Sequence, residues 1–165
     1  MDGERWPDVA QNLSRMDQLN CRNWSFPLVH ALGTVDGMNV SLFSVFGGEG
    51  AAGSATGVVV LADQPDPGAA QAFATRLGVS DTVFLWPHGR RWNARFFSTL
   101  EELAVCYQAL LAAAEVIGAP RSEFICGHDG SARRRVLLVA REAHRWWVRT
   151  PASAVERRGS VLTPF

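Results

Sequence analysis

The chain has 165 residues, 47% hydrophobic and 19% charged, with sixteen basic side chains balanced by sixteen acidic ones. That fits a single globular domain, too apolar for a disordered tail and without the basic excess of a strongly charged nucleic-acid binder. Every basic residue is arginine, which codon bias in a GC-rich genome explains, and a lysine Schiff base or lysine general base is thereby excluded.

Residues 1–36 are polar and broken by Pro7 and Pro27, with Trp6, Trp24 and Phe26 scattered among them. A short helix is predicted over Val9–Leu19 with Asp8 as its N-cap. We read 1–36 as an N-terminal extension that packs on a neighbour or covers an opening, and 37–165 as the domain proper. The N-terminus lacks the basic and apolar regions of a signal peptide, and no apolar run approaches the roughly eighteen residues of a membrane span. The expectation is a cytoplasmic protein with no membrane and no nucleic-acid partner. Cys21, Cys106 and Cys126 form no CxxC pair, so neither a zinc site nor a disulfide framework is indicated.

From Asn39 the pattern becomes β-rich. Strands are predicted over Asn39–Phe46 and Thr56–Ala62, flanking a small-residue loop at Gly47–Ala55. Gly68–Leu77 reads as a helix with Ala70, Phe73 and Leu77 on one face and Gly78 as its C-cap. Val83–Trp86 and Arg91–Phe97 read as strands, the second alternating Trp92, Ala94 and Phe96 with Asn93 and Arg95. Tyr107–Ile117 is a helix apolar nearly all round, which predicts burial on all sides, stopped by Gly118 and Pro120. Ser122–Cys126, Arg135–Ala140 and Arg145–Arg149 complete the strands, the last two as a hairpin around Glu142–His144, and residues beyond Pro151 read as an extended tail. The plan is α+β, with a curved mixed or antiparallel, barrel-like sheet wrapped around one central apolar helix.

The charges are unevenly placed: residues 1–88 hold four Arg and nine acids, and 89–165 hold twelve Arg and seven acids. The run Arg133–Arg135 precedes a hydrophobic strand and reads as a solvated strand edge. No phosphate-cradling GxxxxGKS, HExxH or Ser-His-Asp order is present. His88, in the Pro87–Gly89 turn, reads as a solvated loop residue, His30 and His144 have no partner visible in sequence, and the triplet Cys126-Gly127-His128 falls between two strands, away from any helix start.

Three segments together resemble the PhzF-like phenazine-biosynthesis family, of diaminopimelate epimerase-like fold. Gly53-Ser54-Ala55-Thr56-Gly57-Val58 stands where GNPAAV is usual, Ala70–Leu85 (AQAFATRLGVSDTVFL) resembles a pattern of the type QAIAREFNLSETAFL, and Cys106-Tyr107-Gln108-Ala109 stands at a CGHA motif. The likeness covers roughly residues 36–150 and implies one lobe of that fold. By resemblance, Asp81 takes the place of the acid that moves a proton at carbon, with a turn cap as its structural alternative. Cys106 takes the place of a thiol acid/base group of the epimerase relatives, or is simply buried. Ser54, Ser80, Tyr107, Gln108 and Ala109 would bind substrate, the amides at the helix N-terminus holding a carboxylate. Tyr107 and Gln108 replace the motif's Gly and His, and Gln cannot exchange a proton at neutral pH.

The resemblance implies a cofactor-independent, metal-free isomerase or cyclase acting on a small metabolite in a specialised, secondary-metabolite pathway. Two alternatives stay open: a non-catalytic ligand-binding or partner-supporting remnant, and a cyclase guided by shape without acid/base chemistry. Because family members pair two lobes about a cleft, a homodimer is expected to supply the second wall.

Overall fold

The computed structural model describes residues 31–35, 37–47, 53–127, 134–142 and 145–149. Nine strands form one mixed sheet. They are β1 (Ala31–Val35), β2 (Met38–Val45), β3 (Ser54–Val60), β4 (Asp81–His88), β5 (Arg91–Phe97), β6 (Glu102–Leu103), β7 (Arg121–Cys126), β8 (Arg135–Glu142) and β9 (Arg145–Arg149), with helices α1 (Pro67–Leu77) and α2 (Tyr107–Ile117). The predicted helix Val9–Leu19, His30, His128, His144 and the tail beyond Pro151 lie outside the described residues, as does all of the extension up to residue 30. Ala31–Val35, at the end of that segment, is an edge strand paired with β2. No helix among the described residues is long and apolar enough to cross a membrane.

The strand order is β1-β2-β3-β4-β5-β7-β8-β9, with the short β6 also on β5. Two neighbouring pairs are parallel, β3–β4 joined through α1 and β5–β7 joined through α2. Because β4 and β5 are antiparallel, the two crossovers advance along the sheet on strands pointing in opposite directions. Right-handed crossovers then require the helices to lie on opposite faces, and the packing agrees. Phe43, Val58, Val83, Leu85, Ala94 and Phe96 join the α2 cluster, whereas Leu42, Val59, Phe84 and Phe97 join the α1 cluster. Consecutive residues of β3 and β4 face opposite helices, so these strands are apolar without alternation.

The α2 cluster draws in Leu137 and Val139 of β8 and Trp146 and Val148 of β9, so the sheet bends onto this helix. Ala109, Leu110 and Ala112–Ala114 are fully buried, but Leu111, Val116 and Ile117 are only partly so. Nothing pairs β9 with β1 among the described residues, and the sheet is open where a barrel-like one was expected. On the other face, α1 starts at Asp66, whose carboxylate accepts from the Ala69 amide at 2.8 Å, with Pro67 at the first helical position. Gly78 ends it in the left-handed conformation at φ 69°. A Cβ on Gly57 would come within 2.6 Å of Leu77 Cδ2, so a side chain there would require Leu77, at the end of α1, to shift.

Along β5 the apolar residues alternate with polar ones, yet both faces are covered. Asn93 and Arg95 are each 7% exposed and do not form a solvent face. The turn at Ser98, whose Oγ accepts from the amides of Leu100 and Glu101, starts β6 and brings Glu102 under Arg95, which it binds through both carboxylate oxygens. A buried guanidinium is tolerated because a bidentate carboxylate replaces its water.

Phe84 meets Phe73 and Phe97 edge-on, at centroid distances of 5.7 and 5.5 Å, and so ties α1 to the sheet. Phe84→Ala should cost about 3–5 kcal/mol in urea unfolding, against about 1 kcal/mol for Asp66→Ala, which removes only a helix cap. Equal costs would contradict this packing.

Candidate functional site

The β3–β4 register sets Thr56 beside Asp81. Ser54, Thr56 and Val58 share one face of β3, and Asp81 shares its face of β4 with Val83. Since Val58 and Val83 pack in the α2 cluster, this is the face that α2 covers. Polar residues occupy only the first positions of each strand, beside the N-terminus of α2. The site is thus the rim of the α2 core, where an apolar strand pattern gives way to hydroxyls and a carboxylate.

Hydrogen bonds fix that rim. Ser54 Oγ donates to Ser80 Oγ at 2.9 Å, and the Ser80 amide donates to the Ala55 carbonyl at 3.1 Å. Gln108 Nε2 donates to Thr56 Oγ1 at 2.7 Å; Thr56 is fully buried, so this bond ties the first turn of α2 to β3. Gly53 turns the chain into β3 where a Cβ would meet Gly47 N and Val45 O at 2.6 Å, and only glycine fits there.

Cys106 is the N-cap of α2, with extended backbone, and its carbonyl accepts the helix's first hydrogen bond, from Leu110, at 3.0 Å. Its thiol lies beside the Asp81 carboxylate, near enough for each to perturb the other's titration. Burial is the main reason the thiol is pushed up to about 11. The Asp81 charge and hydrogen bond add to the rise, and the amides of Ala109 and Gln108, which face the sulfur without forming a full capping bond, oppose it. Asp81 is raised from its ordinary value by burial, with the Cys106 hydrogen bond pulling the other way. At neutral pH the pair rests as a carboxylate beside a thiol, a proton acceptor next to a held proton.

Of the residues singled out in sequence, Ser54, Ser80, Asp81, Cys106 and Gln108 meet at this rim. Tyr107 begins α2 but is 43% exposed, and no hydrogen bond ties its side chain to them among the described residues. Ala109 places its methyl in the core, which leaves its amide as its contribution. Thr56 was missed, although it stands two residues after Ser54 in the same strand, the spacing that keeps both on one face. Cys126 is a core residue whose thiol burial pushes up to about 12, so it stands apart from this chemistry.

The family model for phenazine biosynthesis-like proteins matches residues 43–124, a span that contains every side chain of the rim. An uncharacterized isomerase of Pseudomonas aeruginosa is 34% identical over 98 residues, which cover 56% of this chain and 35% of that protein. A phenazine biosynthesis PhzF-family structure from Enterococcus faecalis is similar over 66% of this chain and 42% of its own, with TM-score 0.57 and 22% identity. A PhzC/PhzF structure from Clostridium difficile has the same coverages and TM-score at 23% identity. At these identities the structures establish the fold alone, and the chain spans well under half the length of each of these relatives.

The proton arrangement is open to direct measurement. Alkylation of Cys106 by iodoacetamide, followed by peptide mass spectrometry, should titrate near 11. In Asp81→Asn the midpoint should fall but stay above 9.0, the ordinary value, because burial remains. A midpoint unmoved by Asp81→Asn would mean that the two groups do not interact.

Proposed function

Since residues 43–124 belong to the phenazine biosynthesis-like family, we propose that the chain is a cofactor-independent isomerase that moves a proton at carbon in a small metabolite. The observation that carries the reading is the place of Asp81, paired with Thr56 across β3 and β4 beneath the Cys106-capped start of α2 that the Gln108–Thr56 bond fixes. Asp81 takes the proton from a carbon next to a carbonyl or carboxylate. Burial raises its proton affinity and so improves it as a base. The amides at the α2 N-terminus, with the positive end of the helix dipole, stabilise the negative charge that develops on the substrate oxygen. Cys106 holds its proton at neutral pH and gives it to the substrate carbon, and the proton that Asp81 took then passes to the Cys106 thiolate, restoring the carboxylate and the thiol. Ser54 and Ser80 shape the rim, and Gln108 keeps α2 in register with Thr56.

Ser54 and Ser80 bond to each other at an exposed position, and Tyr107, at the start of α2, is exposed as well. A dry site needs a second wall here, which we assign to a second copy of the chain, giving a homodimer that works in the cytoplasm on a specialised biosynthetic intermediate. Sedimentation at micromolar concentration should give twice the 18.0 kDa chain mass; a species of single mass would remove this wall from the account.

Binding without turnover is favoured by one observation. Gln108, at the motif's His position, gives its Nε2 to Thr56 and cannot carry a proton. The two readings part on hydrogen exchange. Small unsaturated carboxylates and amino acids incubated in D2O should gain deuterium at carbon with the native chain, and Asp81→Asn should slow this by about 10²- to 10⁴-fold. The acid limb of the pH profile should lie above aspartate's ordinary 3.8, since activity falls as Asp81 is protonated. Exchange surviving in full in Asp81→Asn would remove the assigned role.

A further inference from the structure

We propose a second small-molecule site, for a small carboxylate with a flat apolar body, on the α1 face of the sheet at the far end of β4 from Asp81. The register places Trp86, Asn93 and Ile125 side by side across β4, β5 and β7, just beyond the rows that α1 covers. They line a cleft of about 300 Å³ together with His88, Arg95 and Arg134, at the low end of the size range of ligand pockets. Along β4 it lies five residues from Asp81, about 16 Å at strand rise.

Its polarity is one-sided. Two carboxylates stand near the cleft, and both are taken: Glu102 holds Arg95, and Glu123 binds Arg91 at 2.5 Å one row further on. Arg134 donates to Asn93 Oδ1 at 3.1 Å, a neutral acceptor, and meets no carboxylate among the described residues. This bond also orients the Asn93 amide. Arginine only donates, so the atom facing it is Oδ1, and Nδ2 is turned away from it. Asn93 is 93% buried by its 7% exposure, yet Nδ2 has no acceptor among the described residues. An Asn93 Nδ2 that is open to the cleft, beside a guanidinium that meets no carboxylate among the described residues, is a site for acceptor oxygens of negative charge. Trp86 and Ile125 supply apolar walls for the rest of the ligand.

The test titrates the ¹⁵N-labelled full chain with benzoate and with benzamide, its neutral counterpart, following the Trp86 indole and Asn93 side-chain signals by NMR. Saturable shifts are expected with benzoate, and benzamide should bind at least about tenfold more weakly. Asn93→Asp keeps the acceptor for Arg134 but turns a carboxylate oxygen toward the cleft; it and the surface change Arg134→Gln should each weaken benzoate at least about tenfold. Asp81→Asn should leave these shifts unchanged. Equal binding of the two probes, absence of saturable shifts, unaltered affinity in folded Asn93→Asp and Arg134→Gln, or loss of the shifts in Asp81→Asn would each overturn the site.

Discussion

The register of β3 against β4 under the N-terminus of α2 is the constraint on which the rest depends. It sets Thr56 beside Asp81, and the bond from Gln108 to Thr56 fixes the helix start above them. Cys106, the N-cap, therefore stands at the Asp81 carboxylate. A slip of one residue in β4 would turn Asp81 to the α1 face and Thr82 toward the helix. The carboxylate and thiol would then no longer meet.

What holds the register is the division of labour between the faces. Val58 and Val83 bury against α2 while Val59 and Phe84 bury against α1, so a shift would expose one apolar set and bury polar groups on both sides at once. Gly57 closes the α1 side, where Leu77 occupies the space a side chain would need. The face that carries the proposed proton chemistry is thus stabilised largely from the opposite face, by groups that touch no substrate.

Much of this was legible in the residues. The bounds of α2 follow from its apolar run and from Gly118, and the bounds of β5 from its alternation. The motif positions Ser54, Ser80, Asp81, Cys106 and Gln108 converge because each lies at the first turn of a helix or at the start of a parallel strand. Other features depended on long-range pairing. Arg95 looks like one polar residue of an alternating strand until β6 brings Glu102 beneath it. Thr56 looks like an ordinary β-former until Gln108, far along the chain, donates to it. Barrel-like closure was expected from a curved sheet wrapped around one apolar helix, but a buried helix does not say whether the last strand pairs with the first. Ala109 and Tyr107 were grouped with the site by motif position, whereas helix geometry sends one side chain into the core and the other toward solvent.

The chemical claim rests on mutual perturbation of Asp81 and Cys106 at the mouth of an apolar core. The most direct measurement is a ¹³C-carboxyl NMR titration of Asp81 in the native chain and in Cys106→Ala. Burial raises the carboxyl and the thiol's hydrogen bond lowers it, so Asp81 should titrate above 3.8 in the native chain and higher still once the thiol is removed. An Asp81 that titrates at its ordinary value, or that does not move on loss of Cys106, would contradict the account.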